Sequence, residues 1–464
     1  MRLTALIIFF ALGLIAAQMP PVLSAENVHR LHLSENTITA HIDQLPIQVV
    51  LERIAAYGIV VKIDPSISHT VTARLNREPM AEGLRRLFSP LSYSIVWSSI
   101  ETPAGPISKV TEIHVFQPGT PDSPALISGP DNFDIIADRD TGTLLIRGEV
   151  LLRIKPGTQL NALKALLGQF NAVVIDHHAG AGILRLRMAD HEQARAFLDA
   201  LSSSGIDAAA EPHYAYRLPS LAAGVQQHST AKQPPSPFTG TVPVAILDSG
   251  LAAESLPSSI TLAPYNAIDS GADVQDRVGH GTHMALIASG RVAPVGTDPL
   301  PETGVSIIPV KIFDENGYTS NFTVMRALAH AMENGAKVIS LSWGSETDSA
   351  FLRDVLTEVG AAGALLLAAS GYAPTGKPVF PAAYPSVVGV GDLAPDGTVW
   401  ESSNRGSFVA LYAPGQADFD GSDQEPAGVF AGTSVATAYT AYRLASFLAA
   451  NPGAGIKAFL STTQ

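Results

Sequence analysis

No cysteine occurs among the 464 residues of this chain. Disulfide bonds, thiolate metal sites and a cysteine nucleophile are therefore excluded, so any nucleophile must be an oxygen. Charged residues are also scarce, at 15% against 46% hydrophobic residues, and acids outnumber bases by 42 to 29. The formal net charge of −13 repels phosphate backbones and anionic lipid surfaces, so we expect no nucleic-acid partner. The length favours several domains.

Residues 1–25 have the layout of a signal peptide. Arg2 precedes an apolar run over residues 3–17, and the segment ends in Ser24 and Ala25. Because the run is shorter than the roughly twenty apolar residues of a membrane span, we expect cleavage after Ala25 and no stable membrane span afterwards. The protein would then be exported to a periplasm or to the extracellular space. An uncleaved anchor is the alternative.

Residues 26–117 have the pattern of a small α+β domain. Apolar positions fall at helical spacing near residues 49–54, alternate over residues 59–63 and indicate a second helix at residues 80–88. The segment resembles the small domain found at the N-termini of secretins and TonB-dependent receptors. That resemblance implies a docking module for an envelope protein in the periplasm of a Gram-negative bacterium. A generic α+β spacer is the alternative.

Two further stretches, residues 118–143 and 218–240, are predicted as linkers. The first is rich in proline and glycine, and the second in serine, glutamine and proline. Between them, residues 144–217 read as strands and helices in the order βαββαβ, which predicts a ferredoxin-like α+β domain.

The last part, residues 241–464, alternates fully apolar strand-like runs with helical ones. Strands that are apolar on both faces and are separated by helices indicate an α/β fold with a parallel sheet. In such a sheet, reactive side chains gather where strands end and helices begin. Candidate catalytic residues are therefore expected at those junctions.

Three of these junctions carry an acid, a histidine and a serine, which are side chains that can take part in catalysis. Asp248 ends a buried strand before a glycine turn, His280 opens a helix within the run G-H-G-T-H, and Ser434 begins a helix after Gly-Thr. A hydroxyl at that position meets the positive end of a helix dipole. His280 and His283 could form a metal pair, but no third ligand follows at a useful spacing, so we assign His283 a structural role.

The runs D-S-G, G-H-G-T-H and G-T-S-x-A occur here in the order and with the separations of the subtilases, and residues 241–464 resemble that family of subtilisin-like serine proteases. The resemblance implies an α/β catalytic domain and an acyl-enzyme mechanism. Ser434 would attack a peptide carbonyl, His280 would take its proton and return it to the leaving amine, and Asp248 would orient the ring. The partner would be a protein or peptide substrate.

Residues 144–217 resemble a subtilase propeptide, most clearly in the run Glu-Pro-His-Tyr at residues 211–214. In that family the propeptide assists folding and inhibits the enzyme until it is cut away, so the chain's own propeptide is a second expected partner. The cut would fall within residues 218–240. An independent accessory domain is the alternative.

The resemblance also assigns the two walls of the primary substrate pocket. These are Ser342, Trp343 and Gly344 on one side, and Ala369, Ser370 and Gly371 on the other. Trp343 is bulkier than the residue usual in the family. We expect it to narrow the cleft, with core packing as the alternative.

One departure from the family concerns the oxyanion donor, which is normally an asparagine after this second wall. Here the position is Tyr372, while the backbone N–H of Ser434 would remain as a donor. Three interpretations stay open: the Tyr372 hydroxyl replaces the amide, a neighbouring loop supplies a donor, or the domain is weak or inactive. We favour retained activity because the triad is complete.

Calcium sites are frequent in the family, but residues 291–303 lack a clear cluster of oxygen ligands. We therefore expect no required cofactor and no metal. A rival function from another class is a non-catalytic periplasmic binding or assembly factor that uses a protease-like fold to hold partners.

Overall fold

The computed structural model describes residues 30–33, 37–57, 59–63, 67–116, 125–127, 133–138, 141–219, 222–223, 242–297, 305–419 and 428–462. The predicted signal peptide, residues 1–25, lies outside these residues, as does most of the predicted linker 218–240. Within the described part of the chain, no helix combines the length and the apolarity that crossing a bilayer requires.

The N-terminal region contains two helices packed against two small sheets. Its elements are β1 (Arg30–Leu33), β2 (Thr37–Pro46), α1 (Ile47–Ala55), β3 (Val60–Ile63), β4 (Thr70–Pro79), α2 (Met80–Phe88), β5 (Ser92–Thr102) and β6 (Gly105–Phe116). The helix predicted at residues 80–88 is present. Apolar and polar residues alternate along β2, so that Ile38, Ala40 and Ile42 face the core.

The segment predicted as a linker, residues 118–143, contains two short strands. They are β7 (Ala125–Ile127), which pairs with β3, and β8 (Ile135–Ala137), which pairs with the first strand of the next region. Each strand is a run of three apolar residues inside a stretch rich in proline and glycine. The overall composition predicted a linker, but the short apolar runs add strands to both neighbouring sheets.

Residues 144–217 contain the predicted βαββαβ order of elements. They are β9 (Leu144–Ile154), α3 (Leu160–Gln169), β10 (Val173–His178), β11 (Ile183–Arg187), α4 (His191–Ser203) and β12 (Ala208–Arg217). The strands form an antiparallel sheet in the order β10-β11-β9-β12. This is the ferredoxin-like arrangement. Its edge strand β12 continues into pairing with the C-terminal region.

The C-terminal region is a layered α/β structure. Its elements are β13 (Ala222–Ala223), β14 (Val244–Asp248), β15 (Tyr265–Asn266), α5 (His280–Ala288), β16 (Ile307–Lys311), β17 (Tyr318–Ser320), α6 (Asn321–Glu333), β18 (Val338–Leu341), α7 (Ala350–Ala361), β19 (Leu365–Ala369), β20 (Val387–Leu393), β21 (Val409–Pro414), β22 (Gln416–Phe419), β23 (Gly428–Ala431), α8 (Thr433–Ala450) and α9 (Ile456–Leu460).

Seven of these strands form one sheet in the order β15-β16-β14-β18-β19-β20-β21, and every pairing in it is parallel. Both faces of the sheet are covered. In β14, Val244 and Ile246 belong to one hydrophobic cluster, while Ala245 and Leu247 belong to the other. The predicted α/β fold with a parallel sheet is confirmed. Because parallel strands end at the same edge, β14, β18 and β19 bring the candidate residues together there.

Candidate active site

Asp248 and His280 are in direct contact. Asp248 ends β14, and His280 is the first residue of α5. His280 Nδ1 lies 2.8 Å from Asp248 Oδ1, and the two residues are only 5% and 1% exposed. The Ser249 N–H donates to the same carboxylate oxygen at 2.8 Å. The carboxylate therefore fixes the ring and favours a proton on Nδ1, which leaves Nε2 as the basic nitrogen.

The Asp248 carboxylate also stabilises the charged form of His280. Burial lowers the pKa of His280, but the attraction and the hydrogen bond from Asp248 outweigh burial, and the pKa lies above its usual value. A proton taken up by Nε2 is therefore stabilised in place.

Asp276 is a supporting residue that sequence reasoning missed. Its carboxylate accepts hydrogen bonds from Gly279 N (2.9 Å), Thr282 N (2.9 Å) and Thr282 Oγ1 (2.8 Å) at the start of α5. Burial alone would raise the pKa of Asp276, but these bonds hold it below its usual range. An aspartate shortly before a helix is a capping signal, and this one fixes the turn that presents His280.

The glycine after His280 is required by a close approach of two backbones. Gly281 N donates to Ser249 Oγ at 2.8 Å. A Cβ atom on Gly281 would lie 2.5 Å from the carbonyl oxygen of Gly250, which is closer than real Cβ atoms come. The run G-H-G therefore allows α5 to start directly against the end of β14.

His283, the second histidine of this run, packs among aromatic rings. Its ring is stacked on Phe419, with centroids 3.9 Å apart, and lies 5.3 Å from Phe430. The residue is buried on the inner face of α5. This packing agrees with the structural role predicted for it.

Ser434 lies in the first turn of α8 and is 3% exposed. Its hydroxyl donates to the carbonyl oxygen of Ser342 at 2.8 Å, and not to His280. His280 Nε2 is buried and has no hydrogen-bond partner among the described residues. The structure thus contains the predicted Asp–His contact, while the serine hydroxyl is turned towards the end of β18.

The two predicted pocket walls are neighbours. Residues 342–344 follow β18, and residues 369–371 begin at the last residue of β19. These two strands are parallel neighbours, and Leu341 of β18 pairs with Ala368 of β19. A Cβ atom on Gly344 would lie 2.4 Å from the Val379 side chain, so this segment tolerates no larger residue without movement. Ser342 and Ser370 are fully buried.

Trp343 is fully buried and belongs to the hydrophobic core. Its ring centroid lies 5.0 Å from that of Tyr216 and 6.1 Å from that of Phe313. Tyr216 comes from β12, the last strand of the ferredoxin-like region. The surroundings of Trp343 therefore match the core-packing alternative, and a large aromatic side chain occupies the space against its ring.

Tyr372, the predicted substitute for the oxyanion donor, is brought to the same cavity as Ser434. Tyr372 is 49% exposed. The cavity has a volume of about 90 Å³ and is lined by Pro219, Tyr372, Asp392, Trp400, Ser402, Ser403, Ala431, Gly432, Thr433 and Ser434. Asp392 is a second residue that sequence reasoning missed, because it stands in a strand made mostly of apolar residues and glycine.

The chain that leaves the ferredoxin-like region runs along this site. Strand β12 pairs with β17, and the Leu218 N–H then donates to the Gly317 carbonyl oxygen at 2.7 Å. Pro219 lines the cavity that contains Ser434. Ala222 pairs with Ala431, three residues before Ser434. The segment thus contacts the site both before and after the residues at 220–221.

Glu211 of β12 also ties the two regions together. Its Oε1 accepts hydrogen bonds from Asn321 Nδ2 (2.8 Å) and Ser349 Oγ (2.6 Å), and its Oε2 accepts one from Phe351 N (3.3 Å). These donors lie at the N-termini of α6 and α7, where a carboxylate is favoured by two helix dipoles. Burial raises the pKa of Glu211, although these bonds counteract it in part.

Comparison with known sequences gives matches to the same part of the chain. The model of the subtilase family matches residues 239–463, about half of the chain. The chain is 32% identical to the minor extracellular protease Epr of Bacillus subtilis (strain 168) over 177 residues, which are 38% of this chain and 27% of that protein. It is 28% identical to thermitase of Thermoactinomyces vulgaris over 204 residues, 43% of this chain and 71% of thermitase. The chain thus spans about a quarter of the length of the first relative and more than two thirds of the second.

Among solved structures, fervidolysin from Fervidobacterium pennivorans, described as a keratinolytic enzyme related to subtilisin, matches with a TM-score of 0.54. The match covers 70% of this chain and 58% of fervidolysin, at 20% identity. At this identity the likeness establishes the fold and not the activity. The fervidolysin match covers more of this chain than the family model, which covers about half of it. Residues 239–463 are therefore a domain of the subtilase family of serine endopeptidases, with the subtilisin-like fold.

Proposed function

We propose that this chain is a serine endopeptidase that hydrolyses peptide bonds through Asp248, His280 and Ser434 and is made as an autoinhibited precursor. The observation that carries the proposal is the 2.8 Å contact between His280 Nδ1 and Asp248 Oδ1, at the edge of the sheet where Ser434 also lies. A carboxylate, an imidazole with a free Nε2 and a hydroxyl are the groups that acyl transfer needs.

Catalysis requires the Ser434 hydroxyl to leave the Ser342 carbonyl oxygen and to donate to His280 Nε2. That change is a rotation of one side chain between staggered conformations. Catalytic hydrogen bonds often form only when substrate is bound. The raised pKa of His280 supports its role as the base, because the imidazolium that forms during attack is stabilised by Asp248.

The oxyanion would be held by the backbone N–H of Ser434 together with a side-chain donor. We propose that activity is retained and that Tyr372 supplies this donor, since it lines the cavity beside Ser434. Loss of one such donor lowers turnover about 10²–10³-fold in a subtilisin, which leaves a measurable enzyme. We propose no required cofactor.

The precursor would be inhibited by residues 144–217. The pairing of β12 with β17, the Glu211 contacts and the pairing of β13 with β23 support an inhibitor whose tail fills the substrate cleft. Because Pro219 and Ala222 both contact the surroundings of Ser434, we propose that the cut falls between them. This narrows the window of residues 218–240 expected from the sequence.

We propose that the protein is exported, as the name of the extracellular relative from Bacillus subtilis supports. Residues 26–117 would dock to an envelope protein. Their described part packs on the inhibitory region: His32 Nε2 lies 2.9 Å from the Asn171 carbonyl oxygen, and the Arg187 guanidinium lies over the Tyr57 ring.

The test is expression of the whole chain as wild type and as Ser434→Ala. The wild type should yield a fragment whose N-terminus, read by mass spectrometry, lies between residues 220 and 222, and Ser434→Ala should remain intact. A serine-directed phosphonate should label the wild type and a Ser289→Ala control, but not Ser434→Ala. Equal processing of wild type and Ser434→Ala, without labelling of either, would support the rival function of a non-catalytic binding factor.

A further inference from the structure

Asp392 is a buried acid without a partner, beside the candidate nucleophile. It lies near the end of β20, is fully buried and lines the cavity that contains Ser434. Neither of its carboxylate oxygens has a hydrogen-bond partner among the described residues. A buried carboxyl of this kind is costly unless something donates to it, so its retention in a cavity points to a ligand.

The structure holds this carboxyl in a defined place. The Asp392 N–H donates to Ser403 Oγ at 3.0 Å, and its carbonyl oxygen accepts from Trp400 N at 2.9 Å. Its side chain occupies the space above Gly415, where a Cβ atom would lie 1.9 Å from Oδ1. The Gly415 carbonyl oxygen in turn accepts from Gly432 N at 2.9 Å, two residues before Ser434. The backbone of Asp392 is thus fixed beside the turn that presents the nucleophile.

The cavity suits the end of a basic side chain. None of its ten lining residues is a lysine, arginine or histidine, so the walls supply no cation to Asp392. The rings of Tyr372 and Trp400 offer apolar contact for a hydrocarbon stem. Both carboxylate oxygens of Asp392 are buried, so its side chain would have to turn towards the cavity to accept from an ammonium or guanidinium group.

Resting on the proposed peptidase function, we infer that this cavity is a subsite for a lysine or arginine side chain of the substrate, with Asp392 as the residue that recognises it. Ala431 borders the cavity and pairs with Ala222, which follows the proposed cut. Because Pro219, which precedes the proposed cut, also lines the cavity, the basic residue belongs to the positions next to the scissile bond. Residues 220–224 of this chain read Ser-Leu-Ala-Ala-Gly and contain no basic residue, so the precursor's own tail leaves Asp392 without a cation.

The preference for a basic residue should depend on pH, because the Asp392 carboxyl has no hydrogen-bond partner among the described residues. Burial raises the pKa of Asp392 to about 7. The carboxyl is then largely neutral at pH 6 and largely charged at pH 8, so the preference for a basic residue should rise over this interval. A carboxylic acid that donated to the oxyanion would behave in the opposite way, because turnover would fall as the acid ionises.

The experiment measures kcat/KM of the processed enzyme for quenched fluorescent peptides with Lys, Ala or Glu at each of the two positions on either side of the scissile bond. At pH 8 we expect a Lys-to-Ala preference of about tenfold, typical of a hydrogen bond between charged groups, at one of these positions. Asp392→Asn should remove the preference, so that kcat/KM for the Lys peptide falls about tenfold more than kcat/KM for the Ala peptide. Asp396→Asn, which removes an exposed acid of the following turn, is the matched control and should keep the Lys-to-Ala preference.

Two results would overturn the inference. One is a Lys-to-Ala preference of the wild type below twofold at every position. The other is an equal loss of kcat/KM in Asp392→Asn for all peptides, which would assign the acid to stabilisation of the oxyanion. Either leaves the peptidase function standing. If the wild type cleaves nothing, the proposed function fails, and the subsite is tested in the full-length Ser434→Ala form. There, n-butylammonium at pH 8 should raise the Tm and butan-1-ol should not. The inference is also overturned if Asp392→Asn responds to the amine as strongly as its parent.

Discussion

Replacement of Asp392 by asparagine should change how the stability of the protein depends on pH. A carboxyl whose pKa is raised in the folded state binds its proton more tightly there than in the unfolded chain. Its contribution to stability is therefore present below the unfolded pKa and is lost as the pH rises towards the folded pKa. For Asp392 this interval runs from about pH 4 to about pH 7.

The size of the effect follows from the two pKa values. The pKa of Asp392 is raised from 3.8 to about 7. Each pKa unit corresponds to about 1.4 kcal/mol, so ionisation costs the folded state up to about 4 kcal/mol. Asparagine has nearly the same shape and does not ionise. Relative to its parent, Asp392→Asn should thus gain free energy of unfolding as the pH rises from 4 to 7 and gain no more above it.

The assay is denaturant unfolding of Ser434→Ala and of Ser434→Ala/Asp392→Asn at pH values from 4 to 8.5. The Ser434→Ala background prevents self-digestion, and the difference between the two proteins cancels the titration of every other group. Asp396→Asn in the same background serves as a control with an exposed acid and should follow the parent. Parallel curves for Asp392→Asn and its parent would show that Asp392 has a donor in solution and would refute the reasoning.

Four further predictions concern the site and the proposed inhibitor. Asp248→Asn should lower kcat about 10⁴-fold in a peptide-hydrolysis assay, because the ring of His280 is then held in the wrong tautomer. Below the raised pKa of His280, kcat/KM should fall as the base becomes protonated, which a pH profile measures. Glu211→Ala leaves buried donors unpaired and should weaken inhibition by the separated propeptide about 10-fold or more, read as Ki. Gly281→Ala should abolish activity and lower the Tm, since its Cβ atom would meet the Gly250 carbonyl oxygen at 2.5 Å.

Much of the candidate site could be predicted because its residues lie in short runs with strong local requirements. Asp248 and His280 follow from a buried strand that ends in an acid and from a glycine-flanked helix start. The orientation of Ser434 could not be predicted, since it depends on the rotation of a side chain whose hydroxyl donates to the Ser342 carbonyl oxygen. Sequence spacing carries no information about that rotation.

The residues missed by sequence reasoning depend on contacts between distant parts of the chain. Asp392 stands in a strand that reads as apolar core, and its isolation becomes visible only when Gly415 and the turn at Gly432 pack around it. For Trp343 the sequence left two alternatives, narrowing of the cleft and core packing. Its contact with Tyr216 of the ferredoxin-like region matches core packing. Such pairs share no local pattern from which either partner predicts the other.

The contacts between the regions also indicate what a cut between Pro219 and Ala222 would separate. Everything before the cut remains covalently joined, so residues 26–117 stay with residues 144–217, the proposed inhibitor, on which their described part already packs. The released enzyme would lose the Glu211 contacts and the pairing of β12 with β17 together. An envelope protein bound to the N-terminal module would then retain the inhibitor and not the peptidase. Docking would therefore localise the precursor, while cleavage would free the active domain from that site.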